Sequence, residues 1–161
     1  MADIKCVWKS VAAGTVGGLV AAFAMNQFQS LLKAASGQRE SSSQDEDATV
    51  KTAKAISQTL FAHELTEDEK KWAGPTVHYS LGASLGAVYG ALAEATPIAT
   101  AGAGAAYGTA VWFGADEMAV PAFGLSKGPA ETPLSAHLSA LASHLVFGLV
   151  TGLTRRLIVG A

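Results

Sequence analysis

Four stretches of the chain contain no charged residue, and each is as long as a membrane-crossing helix. They cover residues 10–32, 72–93, 95–115 and 132–154. An α-helix needs about 20 apolar residues to cross the hydrocarbon core of a bilayer. The pattern predicts an all-α fold, a four-span transmembrane helix bundle forming one membrane domain over residues 1–161. The spans are predicted at about 10–32, 76–94, 98–120 and 134–157.

The segment between the first two spans, residues 33–75, is predicted to hold a polar linker and surface helices. Apolar residues recur at helical spacing from Val50 to Phe61, which predicts a short amphipathic helix on the membrane surface. A solvent-exposed packing helix is the alternative. Thr66 and Glu69 have capping-box spacing, so they predict another helix start. We expect that helix to end near Pro75, because proline lacks the N–H that continues a helix.

Composition supports a membrane protein but leaves one alternative. Charged residues make up 15% of the chain, against about 25% in ordinary soluble domains. A soluble Ala- and Gly-rich protein with long buried helices would look similar. The net charge of −2 gives no sign of a nucleic-acid partner. Cys6 is the single cysteine, so an intramolecular disulfide is excluded, and nothing in the sequence identifies a cofactor.

The N-terminal segment resembles a signal peptide, since Lys5 and Lys9 precede an apolar run that contains a small-residue stretch at 21–24. That run is longer than the usual apolar core of 7–15 residues, so we expect an uncleaved first span. Lysines and arginines are nearly balanced between the two predicted membrane faces. The lysines on the membrane face away from the termini are mixed with acidic residues. We therefore expect both termini to lie in the cytoplasm.

Small residues four positions apart occur in every predicted span. They let helix backbones approach closely in lipid, where hydrophobicity contributes little to association. Packing within the chain and a dimerisation face are both compatible with this pattern. The lipid bilayer is therefore the expected partner, and association into a homo-oligomer or a larger membrane complex is also possible. The residues are Gly14, Gly18 and Ala22, then Gly82, Gly86 and Gly90, then Gly104 and Gly108, then Gly148 and Gly152.

Antiparallel spans would bring one group of polar residues to a single membrane face. Ionisable groups inside a membrane are costly and normally face the bundle interior or a wet cavity. The group could be proton-responsive, could hold a metal through His78, Glu117 and His137, or could only fix the register of the helices. No strong metal-ligand motif is present. The candidate ligand or proton site comprises Asn26, His78, Asp116, Glu117, His137 and His144.

The opposite face carries a candidate ion pair. Glu94 ends the second span and Arg155 and Arg156 end the fourth, so a structural pair of Glu94 with one of these arginines is predicted. No Gly-x-Ser-x-Gly nucleophile motif and no phosphate-binding loop occurs in the sequence. No catalytic residue is therefore predicted, and a non-enzymatic role is favoured.

Several short segments resemble the YagU-like family of uncharacterised bacterial inner-membrane proteins. They are residues 78–80, 86–90, 120–125 and 144–148. The resemblance implies a multi-pass protein of the bacterial inner (plasma) membrane, and it suggests acid stress as a context. It implies no catalytic residues.

Three functional hypotheses follow from the polar group and the predicted spans. The first is a proton-responsive protein, or one that binds a small polar ligand through its histidine and carboxylate cluster. The second is a metal-binding membrane enzyme or carrier that uses the same residues. The third is an accessory subunit whose glycine faces dock onto a larger membrane complex.

Overall fold

The computed structural model describes residues 4–36 and 48–160, and these residues form helices and turns without a β-strand. Two 3₁₀ turns, Ala101–Gly104 and Pro129–Glu131, and one π-helical segment, Phe113–Ala119, interrupt or connect the α-helices. The α-helices are α1 (Ile4–Ala35), α2 (Ala48–Phe61), α3 (Glu67–Ala95), α4 (Ala105–Trp112), α5 (Val120–Ala122) and α6 (Leu134–Val159).

The long helices form a bundle of two closely packed antiparallel pairs. Helix α1 lies along α3, and α4 lies along α6, while α1 also packs against α6 and joins the two pairs. Helices α3 and α4 are neighbours in sequence, but their backbones lie close together at few positions. One end of the bundle, here called the loop end, holds the end of α1, the starts of α3 and α6, and α5. The other is called the terminal end.

Glycines allow the backbones within each pair to come into contact. A Cβ atom on Gly86 would collide with the carbonyl of Gly14 and lie 2.8 Å from Cα of Gly18. In the second pair, a Cβ on Gly108 would collide with the carbonyl of His144. The small residues of all four predicted spans therefore pack within the chain. Gly104 has an additional requirement, because its φ of 104° lies in the left-handed region that favours glycine.

Helix α3 does not end at Pro75, so the expectation of a separate short helix was wrong. A single helix runs from Glu67 through Pro75 to Ala95. Proline leaves the carbonyl four residues earlier, that of Lys71, without its helical donor. Lys71 is exposed, so water can supply that hydrogen bond, and the interruption is tolerated.

The third predicted span is less regular than a helix over 98–120. Gly102 and Ala103 both have φ of 58°, which breaks the helix before α4. Regular α-helix is then limited to the eight residues of α4, followed by the π-helical segment and α5. The left-handed residues let the backbone at Ala103 approach Gly152 of α6. Packing against α6 therefore compensates for the helical hydrogen bonds that are lost at this break.

The other predicted elements agree with the structure to within a few residues. Helices α1 and α6 coincide with the first and fourth spans, and α2 with the amphipathic helix. Helix α1 extends to Ala35, into the predicted linker, and residues 37–47 of that linker lie outside the described residues.

Two helices of the described chain, α1 and α6, are long and apolar enough to cross a membrane. Helix α3 is long but less apolar, because it begins with a charged turn. The lengths and compositions of α1 and α6 are compatible with a membrane location.

The start of α3 is held by the predicted capping box, which the structure confirms. Glu69 N–H donates to the Thr66 hydroxyl at 3.3 Å, and Thr66 N–H donates to the Glu69 carboxylate at 2.8 Å. Hydrogen bonds to the Glu69 carboxylate from the Thr66 N–H, from the Thr66 hydroxyl at 2.9 Å and from His63 lower the pKa of Glu69 to about 2. Because His63 follows α2, this cluster also ties the end of α2 to the start of α3.

Candidate functional site

A cavity of about 580 Å³ opens at the loop end of the bundle. Helices α1, α3 and α6 and the π-helical segment form its walls, and Thr49 and Val50 of α2 lie at its edge. Its volume falls within the usual range of about 300–1,000 Å³ for small-molecule sites. All six residues of the candidate site line this cavity, namely Asn26, His78, Asp116, Glu117, His137 and His144.

Glu117 and His137 form the outer of two histidine–carboxylate pairs. Nδ1 of His137 lies 2.5 Å from the Glu117 carboxylate, and Nε2 lies 3.1 Å from the carbonyl oxygen of Pro129. A carbonyl oxygen only accepts hydrogen bonds, and so does an ionised carboxylate. A neutral imidazole has one N–H, so it cannot donate to both. The observed bridge therefore needs one additional proton, carried either by the imidazole or by the carboxyl group.

Asp116 and His144 form the inner pair, and its proton requirement is different. Nε2 of His144 lies 3.1 Å from Oδ2 of Asp116, while Nδ1 is buried and has no hydrogen-bond partner among the residues that the structure describes. A second ring proton would leave a buried N–H without an acceptor, which is costly. The tautomer with its proton on Nε2 is therefore favoured, and that N–H donates to Oδ2 of Asp116.

A π-helical segment places these two adjacent carboxylates. His137 and His144 are seven residues apart on α6, a rise of about 10 Å. Asp116 and Glu117 reach the two histidines from consecutive positions of Phe113–Ala119. Single π-turns inside α-helices are rare and occur frequently at functional sites.

The α1–α3 side of the cavity carries the remaining two candidates. Nε2 of His78 lies 3.2 Å from the carbonyl oxygen of Ala22 and donates to it. Asn26 donates a long bond of 3.5 Å to the Tyr79 hydroxyl. Asn26 and His78 therefore join α1 to α3, whereas the two histidine–carboxylate pairs join the π-helical segment to α6.

The structure does not bring the proposed metal ligands together. His137 and Glu117 are paired, but His78 bonds to the backbone of α1 instead. Within residues 4–36 and 48–160, no three side chains of His, Cys, Asp or Glu lie close enough to share an ion.

The cavity floor is apolar, and the terminal end of the bundle below it is closed by polar contacts. Arg155 binds the Glu94 carboxylate and donates from Nε to the Ser10 hydroxyl at 2.6 Å. Ser10 in turn donates to the carbonyl of Gly90 at 2.7 Å. Of the two predicted arginines, Arg155 makes the ion pair, while the exposed Arg156 donates to the carbonyl of Thr100 at 3.3 Å.

Sequence reasoning missed three partners of the site, namely the Pro129 carbonyl, the Ala22 carbonyl and Tyr79, and it missed Ser10 at the Glu94–Arg155 pair. The Pro129 and Ser10 contacts involve atoms whose position depends on loop conformation and helix register. Tyr79 is adjacent to His78, so its sequence position was the one available signal.

Comparison with known proteins identifies the family of the chain. The model of a family described as "Protein of unknown function (DUF1440)" matches residues 48–153. The match includes α2 to most of α6 and five of the six candidate residues, and it excludes α1. No curated protein and no solved structure matches the chain. Because the family model covers more than half of the sequence, the chain belongs to this DUF1440 family of uncharacterised function.

Proposed function

We propose that this protein is a four-span membrane protein whose loop-end cavity changes its opening in response to protons. The proton-requiring bridge from Glu117 through His137 to Pro129 is the observation that supports this most strongly. The resemblance to YagU-like inner-membrane proteins agrees with a location in the membrane and with acid stress as a context.

The exposed surface of the bundle supports four spans. Helix α3 lies antiparallel to α1, and α4 lies antiparallel to α6, over much of their length. Helices α3 and α4 would therefore lie at the same depth in the bilayer as α1 and α6. Large apolar side chains are exposed on all four walls, for example Phe23, Val88, Phe113 and Leu153. An apolar surface of this extent indicates contact with lipid or another protein. In the proposal, this surface faces the acyl chains.

The His137 bridge connects protonation to the conformation of the loop. While the pair holds its additional proton, Nε2 of His137 donates to the Pro129 carbonyl, and a second proton lies between Nδ1 and the Glu117 carboxyl group. After that proton leaves, the ring has one N–H left, and the ionised Glu117 carboxylate is a stronger acceptor for it than the neutral Pro129 carbonyl. The bond to Pro129 therefore breaks, and the Pro129–Glu131 turn separates from α6. In this proposal, the bridged arrangement of His137 is the proton-bound, closed form.

The test measures the opening in lipid nanodiscs by double electron–electron resonance. Cys6 is replaced by serine, and spin labels are attached at Leu31→Cys on α1 and Ala130→Cys in the Pro129 turn, both exposed positions. We expect a short, narrow distance distribution at about pH 5.5. Above the ordinary histidine range of about pH 6.5, the distribution should become longer or broader.

Two substitutions distinguish the effect of the proton from the effect of the His137 side chain. In Glu117→Gln the amide N–H can donate to neutral His137, so the loop should stay closed at every pH. His137→Ala should be open at every pH. Glu131→Gln, an exposed acid in the same loop, should keep the native response. A distance that does not change with pH in the parent protein would exclude the proton-responsive function.

A further inference from the structure

We propose that the loop-end cavity binds a single-chain amphiphile with a cationic head group. The head would lie at Asp116, and the chain would lie against Leu81, Leu85 and Phe147. This inference deepens the proposed function, because it relies on that function for the placement of the bundle in lipid.

The lower part of the cavity is apolar. Met25, Leu85, Val111 and Phe147 line it, and Phe147 is only 3% exposed. Water is stable in a cavity only where it finds two to four polar partners. A wholly polar ligand would leave this region empty or poorly hydrated. An alkyl chain would fill it and would remove its apolar surface from water.

The upper part of the cavity carries one carboxylate that forms no ion pair with a lysine or arginine of the described residues. Glu117 and His137 together hold one additional proton, so that pair has no net charge. Asp116 accepts one N–H from His144 at 3.1 Å, and its side chain is 37% exposed. Lys127, the one lysine among the described lining residues, is on the exposed mouth loop. Asp116 therefore favours a positive head group.

The cavity wall reaches the outside of the bundle at the seam between α3 and α4. These helices meet through Tyr107, which donates to the Leu85 carbonyl at 2.7 Å and packs on Tyr89 with ring centres 5.1 Å apart. Their backbones otherwise lie close at few positions. Leu81, one turn from Leu85 toward the loop end, lines the cavity and is also 50% exposed. In a bilayer this seam faces the acyl chains, from which an amphiphile could enter.

The volume of the site limits the length of the chain. The cavity of about 580 Å³ accommodates a small amphiphile whose chain has roughly ten carbons.

The test compares four probes on the full-length protein in zwitterionic nanodiscs, with empty nanodiscs as the blank. The probes are decyltrimethylammonium, decyl sulfate, decanol and tetramethylammonium. Calorimetric titration measures the binding of each probe. We expect saturable binding of about one decyltrimethylammonium per chain. Decyl sulfate and tetramethylammonium should bind at least about tenfold more weakly. Equal binding of the sulfate probe, or of tetramethylammonium alone, would overturn the proposal.

Variants locate the site. Asp116→Asn should weaken decyltrimethylammonium about tenfold and leave decanol unchanged. Ala140→Trp places a large ring in the cavity and should abolish binding of both. Leu153→Trp, at an exposed α6 position outside the cavity, should bind like the native protein. Native affinity in both Asp116→Asn and Ala140→Trp would place the probe elsewhere.

Failure of this inference is distinguishable from failure of the proposed function. A normal pH-dependent loop distance without saturable probe binding would contradict the ligand class alone. Saturable binding at Asp116 without a pH-dependent distance would contradict the proton response alone.

Discussion

Replacement of Arg155 by methionine should lower the free energy of unfolding by about 3–5 kcal/mol, because it leaves the Glu94 carboxylate without its partner. Both side chains are largely shielded from water, with 12% of Arg155 and 23% of Glu94 exposed. The substitution also removes the donor to Ser10, which is completely buried between the helices. Reversible unfolding in mixed micelles measures the loss.

The neighbouring arginine provides the matched control. Arg156 is exposed and makes one hydrogen bond to a backbone carbonyl, so Arg156→Met should change the free energy of unfolding by less than about 0.5 kcal/mol. The double variant Glu94→Gln with Arg155→Met should lose less than the sum of the two single variants, because no charge remains unpaired. Equal losses for Arg155→Met and Arg156→Met would show that the ion pair contributes nothing specific.

Replacement of Gly86 by leucine should destabilise the bundle by roughly 3 kcal/mol, because the new side chain meets backbone that cannot rotate away. Its Cβ alone would collide with the Gly14 carbonyl and lie 2.8 Å from Cα of Gly18. Helices α1 and α3 would have to separate along their contact. The same unfolding assay measures the change, and a shorter elution time in size-exclusion chromatography would report lost packing.

Gly128 is the matched control for that substitution. A Cβ atom on Gly128 would have no atom of the described residues within 4 Å, and the φ of −64° suits any residue. Gly128→Leu should therefore leave the free energy of unfolding almost unchanged. If Gly86→Leu were equally mild, the close approach of α1 and α3 would not be important for stability.

Hydrophobic patterning predicts most of this fold because it depends on local sequence. The charge-free stretches locate α1 and α6, and the Thr66–Glu69 spacing locates the start of α3. The predicted helix end at Pro75 was wrong because the effect of a proline depends on whether water reaches the Lys71 carbonyl. Access of water to that carbonyl depends on the tertiary structure. The break at Gly102 and Ala103 likewise depends on contact with α6.

The lining of the cavity could be predicted, but its chemistry could not. Antiparallel connection of helices is enough to bring Asn26, His78 and the two histidine–carboxylate pairs to one end. The pairing of Asp116 with His144, and of Glu117 with His137, depends on a π-helical segment that no residue pattern indicates. The proton requirement of His137 depends on a backbone carbonyl, and every residue has one.

The placement of the α3–α4 turn tests the four-span arrangement most directly. A membrane-impermeant maleimide is applied to intact cells and to inverted vesicles. Native Cys6 is compared with Pro97→Cys and Ser126→Cys in a cysteine-free background, all at exposed positions. We predict that Pro97→Cys is labelled from the same side as Cys6, and Ser126→Cys from the opposite side. Labelling of Pro97→Cys and Ser126→Cys from one side would mean that only α1 and α6 cross, and would contradict the account.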